Sequence, residues 1–175
     1  GPSLVPARQS VPVHCVPDEA NILLPASFES STRAAGVGGS MVKVLVVDAQ
    51  GLILDLLERD LASDPELEPL GGVNGLGQLA ALALGAAPDA VLVDVHGARP
   101  SVPQLLAGIK EACPGARVLA LADEAGAPEA LAAMEAGVDG LMLKDGSPAL
   151  LVMALKCVAA GLHVIHHEVH ERFRS

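Results

Sequence analysis

One stretch of the chain decides the fold: the sequence Pro-Asp-Ala-Val-Leu-Val-Asp at residues 88–94. Its centre, residues 90–93, is a short apolar run that is closed by the acidic Asp94. A run of this kind predicts a strand that is buried on both faces, which is typical of parallel sheets whose crossover helices cover both sides. Asp94 then lies at the carboxyl end of its strand, the edge at which parallel sheets carry their functional groups.

A short apolar run followed by a helical segment recurs on both sides of this stretch. The pattern predicts five strands, which we place at Val42–Val47, Leu67–Leu70, Ala90–Val95, Arg117–Leu121 and Gly140–Leu143. It also predicts five helices, which we place at Leu52–Ala62, Gly75–Leu84, Val102–Ala112, Pro128–Ala136 and Ala149–Ala160. Strands that alternate with helices predict an α/β fold, a doubly wound five-stranded parallel sheet flanked by five helices.

Two kinds of signal mark the helix boundaries. Ser147 and Pro148 predict the start of the last helix, because a hydroxyl caps the first turn and proline fits the first helical position. Gly85 and Gly137 predict helix ends, because glycine readily adopts the left-handed conformation that terminates a helix.

The composition argues against several classes of function. A net charge of −10 and an aromatic content of only two Phe argue against direct binding of nucleic acid. No apolar run reaches about 18 residues without a charge, so we predict no membrane span. The cysteines, Cys15, Cys113 and Cys157, are spaced neither as a zinc motif nor as a disulfide framework. Since no signal peptide opens the chain either, we expect a cytoplasmic protein.

The first 40 of the 175 residues differ from the rest. Residues 1–3 are typical of the scar of a cleaved tag, residues 4–35 are rich in proline, and residues 36–40 have the composition of a flexible linker. Two interpretations stay open, a natural disordered extension and a fused peptide tethered ahead of Met41. We therefore divide the chain into this tail (1–40), a domain (41–165) and the start of a C-terminal linker (166–175).

Several motifs of the domain match a known family. They are Lys-Val-Leu-Val-Val-Asp at 43–48, the stretch 88–94 quoted above, Ala-Gly-Val-Asp-Gly-Leu-Met-Leu-Lys-Asp at 136–145 and Ala-Ala-Gly at 159–161. With these motifs the domain resembles the receiver domain of bacterial two-component response regulators, a CheY-like, flavodoxin-like fold. The subtype it resembles is the LuxR/NarL type, in which the receiver is joined to a helix-turn-helix domain.

The resemblance implies a site at the carboxyl edge of the sheet. In the family one aspartate accepts a phosphoryl group from a histidine kinase, and Asp94 holds its position. The family's lysine is present as Lys144. The second of two metal-binding acids is replaced by Ala49 after Asp48, and the phosphoryl-binding hydroxyl is replaced by Ala122. The family's switch aromatic is replaced by Leu141, which completes the list of departures.

These departures indicate an atypical receiver that is not an enzyme, works in transcriptional regulation and acts without phosphorylation. We expect no cofactor, with Mg²⁺ binding at most weakly because a carboxylate is missing. Asp94 and Lys144 would then form a structural ion pair. Two alternatives stay open: a phosphorelay receiver that is phosphorylated on Asp94, and a sensor that binds a small ligand beside Ala49 and Ala122.

The first and last predicted helices are apolar almost all round, although a surface helix needs only one apolar face. We predict that they form an exposed patch for a partner. The partner is a second copy, a different regulatory protein, or the tail itself through residues 4–35. An alternative place for the tail is a sheet edge, by strand addition of Val11–Val16. The candidate partner-binding residues are Leu52, Leu56, Leu150, Leu151, Met153 and Leu155.

Two further clusters are ambiguous. The glycine-rich segment 71–77 follows a strand and opens a helix, which suggests either a phosphate cradle or a plain turn. Near the C-terminus, His166 and His170 have a spacing that suits a metal on a continuous helix. Since Gly161 ends the preceding helix and a new one starts near His167, we assign this segment to the linker and predict no metal site.

Overall fold

The computed structural model describes residues 14–15, 22–24, 41–48, 51 and 59–174. The strands are β1 (His14–Cys15), β2 (Ile22–Leu24), β3 (Val42–Val47), β4 (Leu67–Val73), β5 (Ala90–Asp94), β6 (Arg117–Ala122), β7 (Gly140–Leu143) and β8 (Val164–His166). The helices are α1 (Leu76–Ala86), α2 (Val102–Ala112), α3 (Pro128–Glu135), α4 (Pro148–Ala159) and α5 (His167–Arg174), and residues 59–63 are also helical. Within these ranges no helix combines the length and the apolarity that crossing a membrane requires.

All the described strands join one sheet, in the order β1-β2-β8-β7-β6-β5-β3-β4. The six strands from β8 to β4 pair in parallel, whereas β1 and β2 pair antiparallel. The predicted doubly wound α/β fold is confirmed. The parallel sheet has a sixth strand, β8, because Val164 and Ile165 pair with Gly140 and Leu141. This strand was not predicted, since an apolar pattern cannot be recognised in only three residues.

The core consists of two apolar layers, one on each face of the parallel sheet. Alternate residues of each strand enter opposite layers, as the pleat requires: Val44 and Val46 enter one, and Leu45 and Val47 the other. The first layer packs against α4, and the second against α1, α2 and α3. With both faces covered, polar side chains can leave the central strands only at their ends.

Strand β4, which the sequence predicted at Leu67–Leu70, is longer than predicted, since it extends through Gly71 and Gly72 to Val73. Gly72 and Val73 pair with β3, so this segment is part of the sheet and the first half of the suggested phosphate cradle does not exist as a loop. The pairing of β3 with β4 shifts register after Val44, and Gly71 there has a φ of 103°. A bulge of this kind requires glycine at the positive φ.

The helix boundaries follow the signals only in part. Ser147 accepts a hydrogen bond from the Leu150 backbone N–H at 3.3 Å, with Pro148 at the first helical position, so the predicted start of α4 is confirmed. Gly137 has a φ of 81° just after α3, as predicted. The prediction for Gly85 is wrong: α1 continues through it, and Ala87 terminates the helix with a φ of 47°.

The apolar circumference of α4 is a core feature and not an exposed patch. Leu150, Leu151 and Leu155 are only 5%, 4% and 0% exposed, because they pack into the first apolar layer. The prediction that these three bind a partner is therefore wrong in the folded chain. Met153 is partly exposed and remains a candidate. Leu52 and Leu56 lie outside the described residues.

The burial of Leu155 should contribute measurably to stability. Leu155→Ala should lower the free energy of unfolding by about 2–5 kcal/mol, because it leaves a cavity in a fully buried site. Met153→Ala, on the same helix, is the matched control and should cost considerably less, since Met153 is partly solvated. Urea unfolding of both variants measures the difference. Equal losses would contradict the placement of Leu155 in the core.

The C-terminal segment belongs to the packed domain, contrary to the prediction of a linker beginning at residue 166. Residues 164–166 form β8, and α5 starts at His167 as predicted. His166 is 1% exposed and Val169 is 0% exposed, because Val169 packs into the second apolar layer. The His166 Nδ1 accepts a hydrogen bond from the Glu168 backbone N–H at 3.1 Å, so it must be unprotonated. Burial, partly offset by Glu168 and Asp145, lowers the pKa of His166 below 6.5.

His166 should make stability dependent on pH. Because the pKa of His166 is lower in the folded chain, the unfolded chain binds more protons. The burial of neutral His166 therefore stabilises the fold in full only above pH 6.5. Stability should therefore fall as the pH falls from about 7.5 to 5.5. In the variant His166→Asn this slope should be smaller, and in His163→Gln, which removes an exposed imidazole, it should be unchanged. Urea unfolding across that pH range measures both slopes. Parallel curves for the wild type and His166→Asn would contradict the assignment.

The described part of the tail lies at the edge of the sheet. Ile22 and Leu23 pair antiparallel with His166 and Ile165 of β8, and β1 pairs in turn with β2. This is strand addition, the alternative place predicted for the tail, although the strand beside β8 is Ile22–Leu24 and not Val11–Val16. Whether residues 4–35 act as a partner peptide stays a prediction.

Candidate functional site

The sheet brings the predicted site residues to one edge. Val47 pairs with Val93, and Ala122 pairs with Leu143, in parallel register. The residues that follow these strands, Asp48 and Lys144, therefore lie at the same edge as Asp94, the last residue of β5. The backbone N–H of Lys144 donates to the Ala122 carbonyl at 3.0 Å, which fixes the start of the lysine's loop against the end of β6.

Lys144 is the cationic centre of this edge. Its Nζ lies 2.9 Å from Oδ2 of Asp94, so the predicted ion pair is present in the structure. The same Nζ lies 2.8 Å from Oδ1 of Asp123, which follows Ala122 in the chain. One ammonium group therefore serves two carboxylates.

These contacts close into a ring through His96. The second oxygen of Asp123 lies 2.8 Å from Nδ1 of His96. The backbone N–H of His96 donates to Oδ1 of Asp94 at 2.9 Å. Both oxygens of Asp94 and both oxygens of Asp123 are thus engaged, and each carboxylate is held at two points.

The ring shifts two pKa values. Burial alone would lower the pKa of Lys144, but its hydrogen bonds with Asp123 and Asp94 outweigh that effect and raise it. The hydrogen bond from Lys144 holds the pKa of the Asp123 carboxyl below its usual range, and a protonated His96 would lower it further. The ammonium of Lys144 and the carboxylate of Asp123 are therefore charged at neutral pH.

Where the family has the phosphoryl-binding hydroxyl, this chain has the methyl group of Ala122. Ala122 is fully buried, and its methyl group packs into the second apolar layer. Leu141, which stands in the position of the family's aromatic switch, is likewise fully buried in that layer. Ala49 lies outside the described residues.

The residues at this edge do not fit the magnesium site that the resemblance implies. Mg²⁺ is held by carboxylate oxygens and retains several waters. The acidic side chains at the edge of the β3 and β5 strands are Asp48, which is 4% exposed, and Asp94, whose oxygens already accept the Lys144 and His96 hydrogen bonds. Alanine at position 49 supplies no side-chain oxygen. In the described part of the chain, no group of three or more His, Cys, Asp and Glu side chains is arranged to hold a metal ion.

Two members of the ring, Asp123 and His96, were not among the predicted site residues. Each lies within two residues of a predicted one, since Asp123 follows Ala122 and His96 follows Asp94 by two positions. That proximity to strand ends was the available signal. It could not show which loop side chains turn toward Lys144, because loop conformation is not periodic.

Two further acids of the motifs lie at the opposite edge of the sheet. Asp89 accepts a hydrogen bond from the Lys43 backbone N–H at 2.9 Å. Asp139 accepts one from the Val118 backbone N–H at 2.8 Å. Each carboxylate satisfies a backbone donor at the start of a neighbouring strand, so these acids have a structural role.

Two known proteins are similar in sequence to this chain. No family model matches the chain. The nitrate/nitrite response regulator protein homolog of Haemophilus influenzae is 27% identical over 120 residues, which are 69% of this chain and 58% of that protein. The DNA-binding transcriptional activator DevR/DosR of Mycobacterium tuberculosis is 31% identical over 121 residues, 69% of this chain and 56% of that protein.

A solved structure has the same fold. The LuxR-family two-component response regulator from Aurantimonas sp. SI85-9A1 superposes with a TM-score of 0.65 at 24% identity, over 78% of this chain and 100% of the other. The domain is a response-regulator receiver domain. The resemblance drawn from the sequence motifs is confirmed. The chain spans a little over half the length of the two curated relatives.

The ion pair of this receiver should be coupled energetically. Lys144→Met removes the cation from the carboxylate of Asp94, whose side chain is 5% exposed, and among the described contacts leaves it the backbone N–H of His96. The variant should lose about 1–3 kcal/mol of unfolding free energy, because a buried charge is left without its cation. Adding Asp94→Asn to Lys144→Met should recover part of that loss.

Lys110→Met is the control, since it removes the same charge from an exposed lysine of α2. Urea unfolding of the wild type and these three variants measures the loss and its partial recovery. A Lys144→Met variant as stable as Lys110→Met would contradict it.

Proposed function

We propose that this receiver domain acts in transcriptional regulation as a protein–protein interaction module that does not depend on phosphorylation of Asp94. The observation that carries the proposal is the double engagement of Lys144. The ammonium that would face a phosphoryl group on Asp94 is already bound by the Asp123 carboxylate at 2.8 Å.

The charge balance at the edge disfavours a phosphoryl group. A phosphoryl group carries a charge of about −1.5 to −2, and on Asp94 it would replace the single negative charge of the carboxylate, so the edge would gain up to about one negative charge. The ammonium of Lys144 is already paired with two carboxylates, those of Asp94 and Asp123. A phosphoryl group on Asp94 would compete with Asp123 for this cation and would face the Asp123 carboxylate.

The machinery for the transfer is also incomplete. Phosphoryl transfer depends on groups that stabilise charge on the transferred oxygens in the transition state. Ala122 offers a buried methyl group where the family has a hydroxyl, and Ala49 offers no metal ligand where the family has an acid. The missing hydroxyl raises the barrier to phosphoryl transfer, and the missing acid lowers the affinity for the metal.

The proposed binding role then depends on the surface. Large apolar side chains are exposed at Leu84, Leu131 and Phe173. Met153 lines a cavity of about 440 Å³ between the helical residues 59–63 and α4, together with Val152, Ser63, Asp64 and Lys156. An apolar wall with a charged rim suits a protein partner. The proposed partner is a second copy of this chain or a different regulatory protein.

The proposal predicts that the wild-type chain does not accept phosphoryl groups. After incubation with acetyl phosphate and Mg²⁺, intact mass spectrometry should detect no stoichiometric adduct, while a phosphorylatable receiver treated in parallel should carry one. Sedimentation equilibrium should give the same association constant for wild type and Asp94→Ala, with or without acetyl phosphate. An adduct that forms in the wild type and is absent from Asp94→Ala would overturn the proposal in favour of a phosphorelay receiver.

A further inference from the structure

We infer that the edge of the sheet contains an anion-binding site at Lys144 that the chain fills with its own carboxylate, Asp123, and that His96 holds this carboxylate in place. The inference rests on the proposed function and adds a cause to it: Asp123 is an internal competitor for anions. It identifies the residue whose removal should open the site to a phosphate-like anion.

The geometry places Asp123 as a ligand and not as an incidental neighbour. Its Oδ1 lies 2.8 Å from the Lys144 Nζ, and its Oδ2 lies 2.8 Å from the His96 Nδ1. A carboxylate held at both oxygens by two different side chains has a fixed orientation. Charge-assisted hydrogen bonds of this length are the strong ones.

The ring has an inner and an outer half. The side chains of Asp94 and Lys144 are 5% and 22% exposed, whereas those of Asp123 and His96 are 44% and 48% exposed. An anion that approaches Lys144 from solvent therefore meets Asp123 first. Asp123 satisfies the outward side of the ammonium, as a bound anion would, and repels any other anion.

The loop that carries Asp123 is supported on both sides. Asp123 directly follows the last residue of β6, and the backbone N–H of Ala127 donates to the Glu124 carbonyl at 3.1 Å, which closes the turn. Beyond it, the exposed side chain of Arg172 from α5 lies close to Gly126, since a Cβ there would be 3.0 Å from the guanidinium. The strand end and the closed turn position Asp123 beside Lys144.

Inorganic phosphate is the probe for this site. In an NMR titration of the full chain, the backbone amides of residues 94–96 and 143–145 report on binding, with sodium chloride at matched ionic strength as the reference. Asp123→Asn keeps the shape and removes the charge, and it should lower the dissociation constant for phosphate by about three- to tenfold relative to wild type. His96→Gln, which frees Asp123 on one side, should change the constant in the same direction by a smaller factor.

Two controls make the result specific. Glu124→Gln removes the same charge from the adjacent, exposed residue and should leave the dissociation constant at the wild-type value. Asp123→Asn combined with Lys144→Gln should lose the gain. The inference is overturned if Glu124→Gln gives the same gain as Asp123→Asn, if the gain survives without Lys144, or if Asp123→Asn binds phosphate no better than wild type. None of these outcomes bears on whether wild-type Asp94 accepts a phosphoryl group from acetyl phosphate, so the two proposals fail separately.

Discussion

The central strands of this domain are buried on both faces, and the rest of the molecule follows from that constraint. Residues 90–93 have no exposed surface, and β3 and β6 are buried beyond their first residues. Polar groups can therefore leave the sheet only where the strands end. At the starts of strands, Asp89 and Asp139 bind backbone donors of neighbouring strands. At the carboxyl ends, the acidic side chains gather around Lys144.

The carboxyl edge combines a framework that the receiver fold shares with residues that depart from the family pattern. Asp94 and Lys144 form the ion pair that the receiver fold positions, and the pair is nearly buried. Two surrounding positions differ from the family pattern, with methyl groups at positions 49 and 122, and Asp123 adds a second carboxylate to Lys144. The lysine that could neutralise an incoming group is here paired with two carboxylates of the chain itself, those of Asp94 and Asp123.

The strands and the ion pair could be predicted from the sequence, because the strands are apolar runs and the ion pair lies in motifs of a known family. Short apolar runs such as Val42–Val47 are long enough and uniform enough to mark buried strands. The faces of α4 were not predictable, because a helix of alanine, leucine and valine has no polar side to orient it, and the structure resolves the ambiguity by burying Leu150, Leu151 and Leu155. Asp123 and His96 depend on loop conformation, and β8 on three residues whose pairing is long-range.

The bulge in β4 has a consequence for how copies of this domain can meet. The described sheet ends at β4, and this outermost strand contains Pro69, which lacks a backbone N–H, followed by Gly71 at a positive φ and a shift in register. An edge that is interrupted in this way is a poor template for another strand, which protects the domain from open-ended β-aggregation on that side. Two copies that associate at this end of the molecule must therefore use helix faces or loops, and not one continuous sheet.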